Sequence, residues 1–140
     1  MTIHEKRTEA QAIPGVSPYL QLSDANAAAE FYKKAFGGVE IDRRPAQDGR
    51  RLMHCGIAIN EGLVMFCDAF PEYGHPHREP QGYVIHLQVE GVDRWWDRAV
   101  EAGCQVAMPL ETQFWGDRYG QLKDPFGVTW SLGEGKGGQP

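Results

Sequence analysis

The sequence has no apolar run approaching the ~18 residues that a membrane-spanning helix needs, and it opens on no charged-then-apolar leader. It has only three cysteines, Cys55, Cys67 and Cys104. That odd number, scattered through predicted strands, argues against a disulfide framework and for reduced thiols, as expected of a cytoplasmic protein. Basic charge is also scarce. Fourteen Lys and Arg against nineteen Asp and Glu leave a net charge of -5, which disfavours nucleic acid, since phosphate binding needs a basic face. At 140 residues and 41% hydrophobic, the chain suits one core and is too short for two independently stable large domains.

What the chain does have is a repeat. Tyr19-Leu-Gln-Leu-Ser-Asp runs into a helical pattern from Ala25 to Gly38, and 67 residues later His86-Leu-Gln-Val-Glu-Gly runs into another from Val92 to Gly103. The segment from His54 to Phe66 lies over Tyr119 to Ser131 at an offset of 65. Such a period dictates paired architecture. Ala28, Phe31, Tyr32, Ala35 and Phe36 form an i, i+3, i+4, i+7, i+8 stripe after a cap at Ser23 or Asp24, and Gly37-Gly38 stops that helix. Strands are predicted at 39–43, 52–59 and 63–68, with Asn60-Glu-Gly turning between the last two. The second copy predicts a strand at 83–89, a helix at 93–102 and strands at 105–110, 117–122 and 128–132. The boundaries expected are a tail at 1–15, module one at 16–69, a proline-containing connector at 70–82, module two at 83–133, and a tail at 134–140.

Each copy is thus βαβββ. That pattern, with Ala29-Glu-Phe-Tyr-Lys-Lys-Ala-Phe-Gly-Gly in the first helix and Gly116-Asp-Arg-Tyr-Gly, Asp124-Pro-Phe-Gly and Trp130-Ser-Leu near the end, resembles the vicinal oxygen chelate superfamily. The likeness is to its glyoxalase and bleomycin-resistance group, the subgroup around a phosphonate-operon protein in particular. The resemblance implies an α+β fold in which two βαβββ modules form a cup-shaped mixed sheet with helices outside, and a homodimer. It names no single reaction, because enzymes and drug-binding proteins share this fold.

The resemblance also implies four metal-ligand positions, one near the start of the first strand and one in the last strand of each module. They fall on Ser17, Phe66, Val84 and Ser131. None is a histidine or carboxylate, so no metal is expected there.

Period-two alternation predicts the strand faces. Leu20, Leu22, Leu87, Met53, Cys55, Ile57, Trp130 and Leu132 are expected against the helices, together with Leu63, Met65 and Cys67. Tyr19, Gln21, His54, Val64, Phe66 and Asp68 in module one, and His86, Gln88, Tyr119, Gln121, Thr129 and Ser131 in module two, are expected on the opposite face.

Two function classes follow. In the first, a small organic molecule binds without a metal, for sequestration of a drug or metabolite, against Tyr19, Gln21, Gln88, Trp115, Tyr119 and Ser131. Acidic Asp68 and Asp117 would favour a cation. In the second, a lyase, isomerase or transferase uses His54 and His86 as acid and base, or as ligands of an unorthodox metal site. The plainer account of both histidines is that they bond neighbouring side chains and shape the surface. His75-Pro-His77 is held extended by prolines and lacks further ligands nearby. Trp95 and Trp96 are adjacent in a helix, so only one can be core.

Overall fold

The computed structural model describes residues 13–135, which divide into two compact units, 13–79 and 80–135. In the first, β1 (Tyr19–Leu22), α1 (Ala25–Phe36), β2 (Val39–Pro45), β3 (Leu52–Ile59) and β4 (Gly62–Asp68) build a four-stranded sheet of order β1-β4-β3-β2. In the second, β5 (Ile85–Gln88), α2 (Val92–Ala102), β6 (Gln105–Thr112), β7 (Arg118–Lys123) and β8 (Thr129–Glu134) repeat it as β5-β8-β7-β6. In each sheet the first strand pairs parallel to the last and the other pairs are antiparallel. The α+β class and the doubled βαβββ unit are therefore observed.

The helix caps follow from sequence. The Asp24 side chain accepts from Ala27 N–H at 3.0 Å, and Gly37, in the left-handed region at φ 65°, donates its N–H to the Tyr32 carbonyl. Ala28, Tyr32, Ala35 and Phe36 are buried, and Tyr32 meets Phe66 edge-on at 5.6 Å. Helix α2 begins at Gly91, which has no side chain to cap with. The Glu134 carboxylate supplies the acceptor instead, 3.1 Å from both Gly91 N–H and Val92 N–H. Glu134 is thus the end of β8 and the cap of α2, not the first residue of a tail. Ile13, expected in the other tail, is buried. Residues 1–12 and 136–140 of the two expected tails lie outside the described residues.

The core of module two centres on Trp130, fully buried beside Leu122, Val128 and Leu132. Its indole N–H donates to Asp124 Oδ2 at 2.9 Å, while Asp124 Oδ1 accepts from Phe126 and Val128 N–H. The Asp124-Pro-Phe-Gly turn therefore fixes the largest core residue as well as reversing the chain. Trp96 is the core member of the tryptophan pair; Trp95 is half-exposed, under the guanidinium of Arg98 at 4.7 Å. Trp96 packs on Gly120: a Cβ added there would sit 2.7 Å from its ring and 2.8 Å from Leu110 Cα.

Because one of those contacts is backbone, the clash cannot be relieved by a rotamer change. Gly120→Ala is expected to destabilise the protein by about 1–3 kcal/mol, read as a lower denaturant midpoint at unchanged slope.

Candidate functional site

Only one face of each sheet is covered by its helix, and the other carries the polar and aromatic side chains. In module two the expected face is the observed one. Pairing of His86 with Ser131, and of Ser131 with Gln121, puts these three on one side; Leu87, Leu122, Trp130 and Leu132 are buried on the other. His86 Nε2 lies 2.6 Å from Gln88 Oε1 and Nδ1 lies 2.7 Å from Ser131 Oγ. Since Oε1 can only accept, Nε2 carries a hydrogen, and in the neutral imidazole Nδ1 accepts the serine hydroxyl. Tyr119 stacks on the imidazole at 5.9 Å and 20°, and accepts from the Gln121 amide through its hydroxyl at 3.1 Å. Trp115, half-exposed, meets Tyr119 edge-on at 6.1 Å. Gly133 makes room for this arrangement, as a Cβ there would lie 3.0 Å from His86 Cε1.

In module one Tyr19 and His54 come together, with the hydroxyl 2.9 Å from Nδ1. The other ring nitrogen faces Asp42 Oδ2 at 3.8 Å, a partner that the sequence reading did not include. Partial burial holds the Tyr19 hydroxyl above its usual pKa. Gln21 lies on the same face, and its side-chain carbonyl accepts from Arg78 N–H at 2.9 Å.

Strand β4 is where the expectation fails. Tyr19 pairs with Met65 and Gln21 with Cys67, so Leu63, Met65 and Cys67 share the open face. Val64, Phe66 and Asp68 are buried on the helix side. The cause is turn length. Asn60 and Glu61, both at positive φ (49° and 65°), form a two-residue turn with Ile59 pairing Gly62. In module two the loop between Lys123 and Thr129, which pair, holds one residue more than its counterpart between Ala58 and Leu63. The offset of 65 therefore becomes 66 after the turn, and a one-residue slip turns every side chain over. The counterpart of Ser131 is Met65, not Phe66.

Two further residues differ from expectation, Asp68 with β4 and Met53 through a bulge in β3. Asp68 is not on the open face: its oxygens accept from Ala25 N–H at 2.9 Å and Leu52 N–H at 2.7 Å, tying β4 to the start of α1 and of β3. Met53, expected against the helix, is 60% exposed. Arg44 pairs with His54 and Pro45 with Leu52, so Met53 is the extra residue of a bulge. Asp117 lies just before β7, its carbonyl accepting from Gln113 N–H in a turn.

The cysteines are poor nucleophiles, because burial pushes the thiols of Cys55 and Cys104 up to about 11 and about 12 and raises that of Cys67. No three His, Cys, Asp or Glu side chains gather as a metal-binding group among the described residues.

Residues 16–132 match the model of the glyoxalase/bleomycin resistance protein/dioxygenase superfamily. The chain belongs to that superfamily. An uncharacterized protein of Mycobacterium tuberculosis strain H37Rv is 42% identical over 140 residues, covering 94% of this chain and 82% of the relative. Among solved structures, protein PA1353 from Pseudomonas aeruginosa aligns with a TM-score of 0.70 at 25% identity, covering 88% of this chain and 98% of its own. TioX from Micromonospora aligns with a TM-score of 0.69 at 23% identity, covering 86% and 97%.

Asp68→Asn would turn an N–H donor toward one of two buried backbone N–H groups. It is expected to lower stability by about 1–3 kcal/mol, measured by chemical unfolding, without displacing the His86–Ser131 contact.

Proposed function

We propose that this superfamily member binds a small organic molecule on the open faces of its sheets without a metal, and that it serves sequestration of a drug or metabolite. The observation that carries the reading is the donor set at the positions where the family's ligands fall. Module one offers Ser17 and, in the corrected register, Met65; module two offers Val84 and Ser131. A thioether, an isopropyl group and two hydroxyls do not fit the first-row metals of imidazole and carboxylate sites. The Ser131 hydroxyl is moreover engaged with His86. In place of ligands there are hydrogen-bonding side chains set among aromatic rings. Tyr19, Gln21 and His54 stand in module one, and His86, Gln88, Tyr119, Ser131 and Trp115 in module two. This mixture suits a planar molecule with polar edges.

A second reading, an enzyme of lyase, isomerase or transferase type, is favoured by one detail. Each histidine meets a hydroxyl through Nδ1 and an acceptor through Nε2. His54 and His86 would then act as acid and base, with Gln88 hydrogen-bonded to His86 Nε2, or as ligands of an unorthodox metal site.

Elemental analysis of the purified protein separates the readings first, and less than a tenth of an equivalent of transition metal per chain is expected. A thermal-shift screen of small organic molecules then supplies a ligand, which at 100 times its dissociation constant adds about 2.7 kcal/mol of stability. His86→Ala and Tyr119→Phe should each weaken it, His86→Ala by about tenfold or more. Unchanged affinity in both, with the fold intact by circular dichroism, sinks the proposal. Turnover of the ligand that is lost in His54→Ala or His86→Ala selects the enzyme.

We also propose a cytoplasmic homodimer. Strand β6 is a sheet edge with Val106 and Met108 exposed, the kind of edge that a symmetric partner covers. Light scattering at twice the chain mass is the expected result, and a monomer across the micromolar range refutes the dimer alone.

A further inference from the structure

A cavity of about 810 Å³ opens in module one, beside the Tyr19–His54 pair and sharing Gln21 with that open face, and all its lining residues belong to that module. Its size falls within the roughly 300–1,000 Å³ of small-molecule sites. Met53, Cys67, Phe70 and Tyr73 give it soft and aromatic walls, and Gln21 and His75 place polar groups among them. Met53 is 60% exposed and Tyr73 74% exposed. These are large apolar side chains for which the module's own core has no use, and the β3 bulge turns one of them outward.

The walls are held in place. Phe70 and His75 exchange backbone hydrogen bonds at 2.7 and 3.0 Å, closing the loop that carries Tyr73. Arg51 braces that loop from behind. Its Nε donates to Asp48 Oδ2 at 2.6 Å, its two terminal nitrogens to the Glu72 carboxylate at 3.1 and 2.5 Å, and one of them also to the Ala69 carbonyl. The guanidinium carbon stands 4.3 Å from the Phe70 ring centroid. Arg51 is thus committed to wall contacts and offers little to an incoming anion.

The charge balance points the other way. Asp48 lines the cavity and Glu72 is bonded beside it, two carboxylates on one guanidinium; Asp68, also in the lining, is taken up by the N–H groups of Ala25 and Leu52. Asp48 accepts three hydrogen bonds and its carboxyl is held well below the usual range, the backbone N–H groups of Arg51 and Arg50 contributing most. From the excess of negative charge and the exposed thioether and phenol ring, we propose that this cavity binds an organic cation with a flat apolar body. The body lies against Met53 and Tyr73, and the positive charge is drawn to the tyrosine face and the surrounding carboxylates. The inference goes beyond the open-face reading: Met53 and Tyr73, whose substitution tests it, belong to neither histidine cluster, and His86→Ala reports on the open-face reading.

The test is a fluorescence titration at low salt with proflavine, a planar aromatic cation, and with 8-anilinonaphthalene-1-sulfonate as the anionic counter-probe. Saturable binding of one proflavine per chain is expected. Tyr73→Ala should weaken it by about tenfold, and Met53→Lys, which sets a positive charge in the cavity, by more. His86→Ala should leave it unchanged, and the anionic dye should bind at least about tenfold more weakly. Circular dichroism and the unfolding midpoint verify that each variant is folded. No saturable proflavine binding, affinity unchanged from the parent protein in both cavity variants, preference for the anion, or loss of binding in His86→Ala would each overturn the proposal.

Discussion

A single helix can make only one face of a four-stranded sheet dry, and the character of this protein depends on that constraint. In each module the apolar strand residues turn toward the helix, where Tyr32 meets Phe66 and Trp96 closes over Gly120. Whatever alternates with them must stand on the other side. The open faces are polar because the helix-side stripe is apolar, and the same hydrogen-bonded pairing that builds the sheet sets their side chains 4–6 Å apart, within reach of one another. His86 is bonded to both Ser131 and Gln88 for this reason, as Tyr19 is to His54.

Buried polar side chains among the described residues are few, and the two carboxylates among them act as fasteners. Asp68 joins the starts of α1 and β3, and Asp124 joins a turn to the indole of Trp130. Glu134, at the surface, does the same for the start of α2. In all three a carboxylate accepts N–H groups that the local chain leaves unsatisfied, which is the strongest use of an ionised acceptor. Such residues are acidic for architecture, and an acidic count alone says little about ligand charge.

The fold was legible from the doubled pattern of strand, helix and glycine stop, because periodicity of 2 and 3.6 survives in a single sequence. Most of the open face in β1, β3, β5, β7 and β8 was legible too. It failed at β4 because the apolar run Leu63-Val-Met-Phe-Cys gives no alternation to read. The phase there had to be borrowed from the second copy across turns of unequal length. Taking Asn60-Glu61 alone as a two-residue turn would have set it correctly. Met53 failed for a related reason: a bulge breaks the period, and nothing local marks it. The cavity of module one was illegible for another cause, since its lining comes from β1, the β2–β3 hairpin, β4 and the loop after it. These segments are separated in sequence and share no motif.

The sequence by itself determined the two βαβββ units, the helix faces and the residue types available for chemistry, because local periodicity and capping are encoded within a dozen residues. Only the tertiary structure decided which way β4 faces, where Met53 points and what Asp68 holds. Those outcomes depend on hydrogen-bond register between strands, and register is a property of pairs of segments that neither segment carries alone.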